Sequence, residues 1–198
     1  MKKIILASAS ERRARILSEC GIDFKVMTSD VTEISDMNCD IADIVETNAS
    51  LKAESVAGKI EPEDVVIGAD TLVMQGNHFI GKPVDEKAAR DMLAEFSGRK
   101  IEVYSGLCVI DTSSGKKAKG SERSIICVKD MTEEEQDKIF GFLAPYDKAG
   151  GFSIEGVGAM LFDDIDGSYF NILGLPMTKL RELFKEIDLD ILDFINRI

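Results

Sequence analysis

The sequence predicts an α/β protein built on a mixed sheet with flanking helices. Short apolar runs alternate along the chain with stretches whose apolar residues recur at helical spacing, which is typical of an α/β fold. Hairpin turns join some of the predicted strands, so part of the sheet must be antiparallel. With 198 residues, 44% of them apolar, the chain can bury a full core as one domain or as two closely packed lobes.

The first half of the chain is predicted to open with a short buried strand that runs straight into a helix. Glycines end the first two helical patterns, and Gly76-Asn77 is typical of a hairpin turn. The predicted elements are the strand Lys3–Ala7, the helix Ser10–Cys20, the strand Phe24–Met27, the helix Asp40–Ala57, the buried strand Val65–Ile67 and a return strand through Phe79-Ile80.

The second half is predicted to contain a long hairpin between helices. Thr132 and Glu135 have the spacing of a capping box, which predicts a helix start there. The predicted elements are the helix Ala88–Phe96, the strands Ile101–Asp111 and Ser121–Lys129 joined across Thr112–Gly115, the helix Thr132–Phe142, a glycine-rich loop from Gly150 to Gly158 leading to Ala159–Phe162, a turn at Asp166-Gly167 and final helices beginning with Pro176–Phe184.

Charge and cysteine content narrow the functional classes. A net charge of −12 argues against broad binding to nucleic acid or to an anionic membrane, although one local basic cluster with a metal ion could still bind a small polyphosphate. The four cysteines have no C-x-x-C spacing, so we expect free thiols in a reducing compartment. No apolar run suits a signal peptide or a membrane span, and we expect a soluble, cytoplasmic protein.

The junction of the first strand and helix is a candidate anion site. A helix start presents unpaired N–H groups and a partial positive charge, and Ser10 is a good N-cap. Ser8 adds a second hydroxyl, while Arg12 and Arg13 can donate to phosphate oxygens. The alternative is an ordinary capped surface helix with exposed arginines.

Asp70 is the main candidate for catalysis. It is expected at the end of a buried strand, where sites of α/β proteins usually form, and the small residues before it would let a ligand approach the backbone. A turn or capping role is the alternative. Glu33 follows the second strand in a polar loop and could be an ordinary loop acid.

The stretch Gly76–Pro83 matches G-x-x-x-x-G-K but does not predict a phosphate-binding loop. Pro83 replaces the hydroxyl residue that would hold magnesium and removes an N–H donor. Lys82 stays a candidate because its neighbours hold its backbone rigidly, although it could be a surface lysine. His78 is the only histidine, which leaves little support for zinc or a histidine-dependent nucleophile. A metal here should be hard and oxygen-bound.

The loop Asp147–Gly156 combines glycines with Lys148, Phe152 and Glu155. That composition suits a lid or a loop that recognises a base. A plain connecting loop is equally compatible with it.

Six ordered motifs over almost the whole chain resemble those of the Maf family of nucleotide pyrophosphatases. Together they are far more specific than any one of them. They are Leu6–Arg13 for L-A-S-x-S-P-R-R, Lys52–Ala57 for K-A-x-x-V-A, Val66–Thr71 for V-I-G-A-D-T, Gly81–Pro83 for G-K-P, Asp147–Gly150 for D-K-A-G and Asn171–Pro176 for N-x-x-G-L-P. Glu11 departs from the family's proline.

The resemblance implies an elongated mixed α/β fold like that of inosine triphosphate pyrophosphatases, with a cleft between two closely packed lobes of one domain, residues 1–198. It also implies hydrolysis of a nucleoside triphosphate to the monophosphate and pyrophosphate, aided by a divalent cation such as Mg²⁺ or Mn²⁺. Such an enzyme would serve as a house-cleaning activity against unwanted nucleotides. A homodimer is plausible on the same grounds.

The resemblance also implies roles for individual residues. Asp70 would accept a proton from the attacking water or orient it, and would share the metal with Glu33. Positive charge from side chains and the metal would offset the charge of the triphosphate. The other positions implied are Lys52 and Lys82 for catalysis, and Ser8, Ser10, Arg12, Arg13, Thr71, Lys148 and Glu155 for binding the substrate.

The residues implied for base selection disagree. The dTTP/UTP-cleaving branch usually has glutamine where this chain has Glu155, and glutamate is found in the branch acting on 7-methyl-GTP. Arg12 and Thr71 follow the pyrimidine branch, so we expect dTTP/UTP with some breadth. The alternatives are a nucleotide-binding regulator of cell division and septum formation with little turnover, and a plain phosphatase. Asp70 together with Lys52 and Lys82 favours the enzyme, because a mere binder needs no base beside the phosphates.

Overall fold

The structure is a computed structural model of the chain and describes residues 2–34, 39–61, 63–143 and 153–196. Seven strands form one sheet in the order β2-β1-β3-β5-β6-β7, and β4 pairs with β3. The strands are β1 (Ile4–Ala7), β2 (Phe24–Val26), β3 (Val65–Gln75), β4 (His78–Ile80), β5 (Lys100–Asp111), β6 (Lys117–Val128) and β7 (Phe162–Asp166). The helices are α1 (Glu11–Glu19), α2 (Ile41–Ala57), α3 (Glu86–Phe96), α4 (Glu133–Phe140), α5 (Tyr169–Ile172) and α6 (Met177–Glu186), with 3₁₀ helices at Gly156–Leu161 and Ile191–Phe194.

The mixed sheet predicted from the sequence is confirmed. β1 pairs in parallel with β2 and with β3, whereas β4 is antiparallel to β3 and β7 is antiparallel to β6. A connection that contains α2 links the parallel strands β1 and β3, and a short turn joins the antiparallel strands β3 and β4. The chain passes from β6 to β7 through α4 and the 3₁₀ helix Gly156–Leu161. The capping box at Thr132 and Glu135 is present, as predicted.

The third strand is longer than the sequence indicated, and this changes the place of Asp70. β3 continues to Gln75, so Asp70 lies inside the strand rather than at its end. The parallel pairing with β1 nevertheless stops at Ala7 and Gly68. Asp70 therefore stands just beyond the last residue of the neighbouring strand, where β1 gives way to the start of α1.

Contacts divide the chain into two compact units, and β3, β5 and β6 each pass through both. Unit 1 contains Met1–Thr71, Tyr104–Glu122 and Leu173–Ile198, and unit 2 contains Leu72–Val103 and Arg123–Ile172. In unit 1 a buried apolar cluster joins α2 to the sheet through Ala49, Ala53 and Val66, among others. In unit 2 Leu93 of α3 and Phe140 of α4 belong to a separate cluster.

The hairpin between β5 and β6 is anchored by a buried carboxylate. Asp111 is 3% exposed and accepts hydrogen bonds from Lys2 Nζ (2.7 Å), Ser113 Oγ (2.8 Å) and Ser114 Oγ (2.7 Å). Burial by itself raises the pKa of Asp111, but these hydrogen bonds outweigh it and hold the pKa well below its ordinary value. Asp111 thus fastens the hairpin turn to the first residues of the chain.

All four cysteines are free thiols, as predicted. Within the described ranges, no helix has both the length and the apolar character needed to cross a bilayer.

Candidate active site

Asp70 is a buried carboxylate with two donors of different kinds. It is 4% exposed. Its Oδ1 accepts a hydrogen bond from Lys52 Nζ at 2.7 Å, and its Oδ2 accepts one from Asn48 Nδ2 at 2.9 Å. Both donors project from one face of α2, since residues four apart in a helix lie one above the other. The helix therefore fixes both oxygens of Asp70.

Lys52 links Asp70 to a second carboxylate. Its Nζ lies 2.7 Å from Glu33 Oε1 and 2.7 Å from Asp70 Oδ1. The Lys52 side chain is 13% exposed and that of Asp70 6%, whereas that of Glu33 is 54% exposed. One positive charge thus bridges two negative charges, one buried and one open to solvent. The structure brings together three of the residues predicted from the sequence.

Asn48 was not singled out in the sequence, although it touches both carboxylate-bearing segments. It is 1% exposed, bonds Asp70, and also bonds the backbone of Ile34, the residue after Glu33. The available signal was its position four residues before Lys52, which puts a polar side chain on the same helix face. Spacing alone could not show that this face meets Asp70.

Two strand glycines let α2 lie close enough for these contacts. A Cβ at Gly68 would stand 2.1 Å from the Ala49 carbonyl oxygen, and one at Gly106 would stand 2.3 Å from that of Val45. We expected the small residues before Asp70 to admit a ligand to the backbone. At Gly68 that expectation was wrong, because the backbone of α2 takes the space.

The Arg13 side chain is buried in unit 1, and its guanidinium donates hydrogen bonds to protein acceptors. Its Nε donates to the Gly174 carbonyl (2.8 Å), its Nη1 to Ser8 Oγ (2.9 Å) and to the Ala69 carbonyl (3.0 Å), and its Nη2 to Thr71 Oγ1 (2.9 Å). Burial lowers the pKa of the Arg13 guanidinium, and the charges of Asp70 and Glu33 oppose that effect. This geometry favours a positioning role for Arg13 over the direct substrate contact implied earlier.

The Ser8 hydroxyl is arranged to donate a hydrogen bond to a ligand. Its Oγ accepts from Arg13 Nη1 and from the backbone N–H of Ser10 at 3.3 Å. Both acceptor sites of the hydroxyl are then used, and only its hydrogen remains available. Ser10 caps α1 by accepting from the Arg13 N–H at 3.4 Å, as predicted. An obligate donor beside a helix start suits an acceptor-only ligand such as a phosphate oxygen.

Thr71 is the next residue along β3 and is held on two sides. Its Oγ1 accepts from Arg13 and lies 2.9 Å from Ser105 Oγ of β5. Gly174 approaches the same hydroxyl, with a Cβ there only 3.0 Å from Thr71 Oγ1 and a backbone φ of +91°. A side chain at position 174 would therefore be strained and would press on Thr71.

The remaining predicted residues are described by their position and exposure. Arg12 is half-buried in the first turn of α1. Lys82 is exposed after β4, and Glu155 is half-buried at the start of the 3₁₀ helix Gly156–Leu161, with its N–H donating to Ser153 Oγ at 3.2 Å. Both belong to unit 2. Lys148 and the Asp147–Gly150 motif lie outside the described residues, and the roles of all four stay predictions.

Glu33 and Asp70 are suited to a hard divalent cation. Their oxygens are each 2.7 Å from the same Nζ, so both can reach one small ion. Mg²⁺ commonly takes one or two carboxylates and completes its shell with water and substrate phosphates. No group of three or more His, Cys, Asp or Glu side chains suited to a metal occurs in the part of the chain that the structure describes. The pair therefore fits a metal shared with a ligand better than a resident structural ion.

Comparison with known proteins identifies the family. The family described as "Maf-like protein" matches residues 3–187 of the chain. The chain belongs to the Maf family. It is 42% identical over 183 residues to a protein of Alkaliphilus metalliredigens named dTTP/UTP pyrophosphatase, covering 92% of this chain and 95% of that one. A protein of Desulforamulus reducens with the same name is 37% identical over 191 residues, covering 96% and 100% of the two chains.

A solved structure also resembles this chain at low identity. It is the Ham1 protein of Staphylococcus aureus, at 17% identity and a TM-score of 0.46, with 65% of this chain and 73% of that one covered.

Residues of three of the quoted motifs meet at Arg13. The guanidinium joins Ser8 of the first motif, Ala69 and Thr71 of V-I-G-A-D-T, and Gly174 of N-x-x-G-L-P. Segments that are far apart in the sequence thus form one hydrogen-bonded cluster beside Asp70.

Proposed function

We propose that the protein hydrolyses nucleoside triphosphates, dTTP and UTP foremost, to the monophosphate and pyrophosphate. The observation that carries this proposal is the buried Asp70 carboxylate bonded to Lys52 and Asn48, with Glu33 on the same lysine. A buried carboxylate with defined hydrogen-bond donors can orient a water and take its proton. The names of the Maf relatives, at 37–42% identity over nearly whole chains, support the same reaction.

In the proposed reaction, water attacks the α-phosphorus and the bond to the bridging oxygen breaks. The electron pair of that bond leaves with pyrophosphate, and the proton of the water passes to Asp70. The charge crowded on the triphosphate is the main obstacle, so positive groups near it lower the barrier. Ser8 donates to a phosphate oxygen, and Arg13 keeps Ser8 and Thr71 in the required orientation.

We further propose that Glu33 and Asp70 hold a divalent cation, Mg²⁺ or Mn²⁺. Such an ion, when bound, offsets the negative charge of the phosphates. Lys52 bridges the two carboxylates, and with an ion held there its ammonium would be free to pair with a phosphate oxygen. We therefore propose that Lys52 pairs with a phosphate oxygen when substrate is bound and with Asp70 when it is not.

The choice of base is proposed to depend on Glu155, Arg12 and Thr71. An ionised glutamate only accepts hydrogen bonds, whereas the edge of uracil or thymine offers one N–H between two carbonyls. Glu155 can pair with that N–H and leaves the carbonyls to other donors. We therefore propose pyrimidine preference with wider tolerance than a glutamine would give.

The test is an assay of products with Mg²⁺ or Mn²⁺ and a panel of triphosphates. The proposal predicts monophosphate and pyrophosphate in equal amounts, fastest with dTTP or UTP, and loss of turnover in Asp70→Asn. Inorganic phosphate with a nucleoside diphosphate would indicate a plain phosphatase. Tight nucleotide binding without turnover would indicate the regulatory alternative.

A further inference from the structure

Asn48 is a buried polar residue that enters the proposed reaction only as a donor to Asp70. It is 1% exposed and lies in α2 one turn before Lys52. Burying an amide side chain costs free energy unless its donors and acceptor are all paired. A polar residue retained there with every group paired is therefore expected to hold other groups in place.

The amide of Asn48 has its donors and its acceptor satisfied. Nδ2 donates to Asp70 Oδ2 at 2.9 Å and to the Ile34 carbonyl at 3.0 Å, while Oδ1 accepts from the Ile34 N–H at 2.7 Å. If the amide were turned over, its oxygen would face Asp70 Oδ2 and the Ile34 carbonyl oxygen, and its NH₂ group would face the Ile34 N–H. The partners therefore fix a single orientation of the side chain.

These bonds tie two segments that also share Lys52. Ile34 directly follows Glu33, so pairing both backbone groups of Ile34 fixes the chain that carries the Glu33 carboxylate. Lys52 joins the side chains of Glu33 and Asp70, whereas Asn48 joins the backbone of the first segment to the carboxylate of the second. If Lys52 moves toward the substrate, the hydrogen bonds of Asn48 still connect Asp70 to the Ile34 backbone.

We infer that Asn48 is a positioning residue that keeps Asp70 and the Glu33 segment in one arrangement during the proposed reaction. The inference rests on the proposed function. Because Asn48 is buried and acts through Asp70, its loss should lower kcat and leave the KM for the nucleotide within about twofold. Losses on the order of 10–100-fold in kcat are typical when a group that orients a metal ligand or catalytic residue is removed.

The test compares Asn48→Asp, Asn48→Leu and the control Ser50→Ala. Asn48→Asp keeps the size of the side chain but replaces the donors with an oxygen that faces Asp70. Asn48→Leu removes all polar atoms at similar volume. Ser50 is buried in the same helix, and its hydroxyl has no hydrogen-bond partner among the described residues. Positioning by hydrogen bonds predicts the largest fall in kcat for Asn48→Asp, a smaller fall for Asn48→Leu, and no change for Ser50→Ala.

Hydrogen exchange supplies a readout that does not depend on catalysis. In the unaltered protein the Ile34 amide hydrogen is bonded to Asn48 Oδ1 and should exchange slowly. Asn48→Leu should raise its exchange rate by at least tenfold while the midpoint of thermal unfolding stays above the assay temperature. Ser50→Ala should leave the Ile34 rate unchanged.

The outcomes separate the inference from the proposed function. If the unaltered protein has no pyrophosphatase activity, the proposed function is wrong, and so is the catalytic part of the inference. An active protein in which Asn48→Asp keeps full kcat, or loses less than Asn48→Leu, overturns the inference alone. Equal Ile34 exchange in the unaltered protein and in Asn48→Leu also overturns it.

Discussion

Replacing Gly68 by alanine tests whether the close approach of α2 to β3 sets the geometry around Asp70. The added Cβ would lie 2.1 Å from the Ala49 carbonyl oxygen and 2.9 Å from Ala53 Cβ. Contacts shorter than 3.0 Å essentially never occur for real Cβ atoms, and the opposing group is helix backbone rather than a flexible side chain. The helix must therefore move away from the strand by about 1 Å.

Such a movement is larger than the contacts can absorb. Lys52 and Asn48 now donate to Asp70 at 2.7 and 2.9 Å, and about 1 Å more would break or strongly weaken both hydrogen bonds. A misplacement of this size can cost about 100-fold in rate. Overpacking itself costs about 1–3 kcal/mol, and each kcal/mol lowers the unfolding midpoint of a chain of this length by about 2–4 °C.

The measurement is kcat for UTP together with the thermal midpoint of Gly68→Ala. Gly120→Ala is the matched control, because that strand glycine faces the flexible Lys179 side chain, with its Cδ at 3.4 Å. We expect a large fall in kcat in the first variant and activity close to the unaltered level in the second. Full activity in a folded Gly68→Ala protein would show that the close approach of α2 does not set the geometry around Asp70.

Three further perturbations follow from the structure. Asp111→Asn should lower the free energy of urea unfolding at pH 7 by about 2 kcal/mol, because the bonds from Lys2 and the turn hydroxyls are charge-assisted. Since the pKa of Asp111 is lower in the folded state, the stabilisation is full above about pH 4 and is lost as the pH falls further, so the variant should show a shallower acid dependence; parallel curves would contradict this. Lys52→Met should lower kcat yet bind Mn²⁺ more tightly without nucleotide, measured by calorimetry, because no ammonium then competes for the two carboxylates; weaker binding would argue against a cation site there. Glu155→Gln should raise the ratio of kcat/KM for UTP over 7-methyl-GTP, and an unchanged ratio would remove Glu155 from base selection.

The sequence predicted the fold well where local signals agree with tertiary packing. The strand and helix around Ser10 and the capping box at Thr132 depend on local patterns, and the structure has them. The length of β3 could not be predicted in the same way. The residues around Asp70 are small and polar, and only pairing with neighbouring strands keeps them extended.

The sequence predicted which residues belong to the candidate site better than it predicted the hydrogen bonds and ion pairs between them. Motif resemblance brought forward Asp70, Lys52 and Glu33, which the structure joins. It gave no reason to separate Arg13, whose donors face inward, from Arg12. Asn48 was missed because its hydrogen-bond partners lie on other segments of the chain. A single asparagine in an apolar helix face does not indicate which segments pack against it.

Asp70 is proposed to direct a water to the α-phosphorus. The most direct test is hydrolysis of UTP in ¹⁸O-labelled water, with mass spectrometry of both products. We expect one labelled oxygen in the nucleoside monophosphate and none in pyrophosphate, and a rate that collapses in Asp70→Asn although UTP still binds. Label in the pyrophosphate, or an undiminished rate in Asp70→Asn, would contradict it.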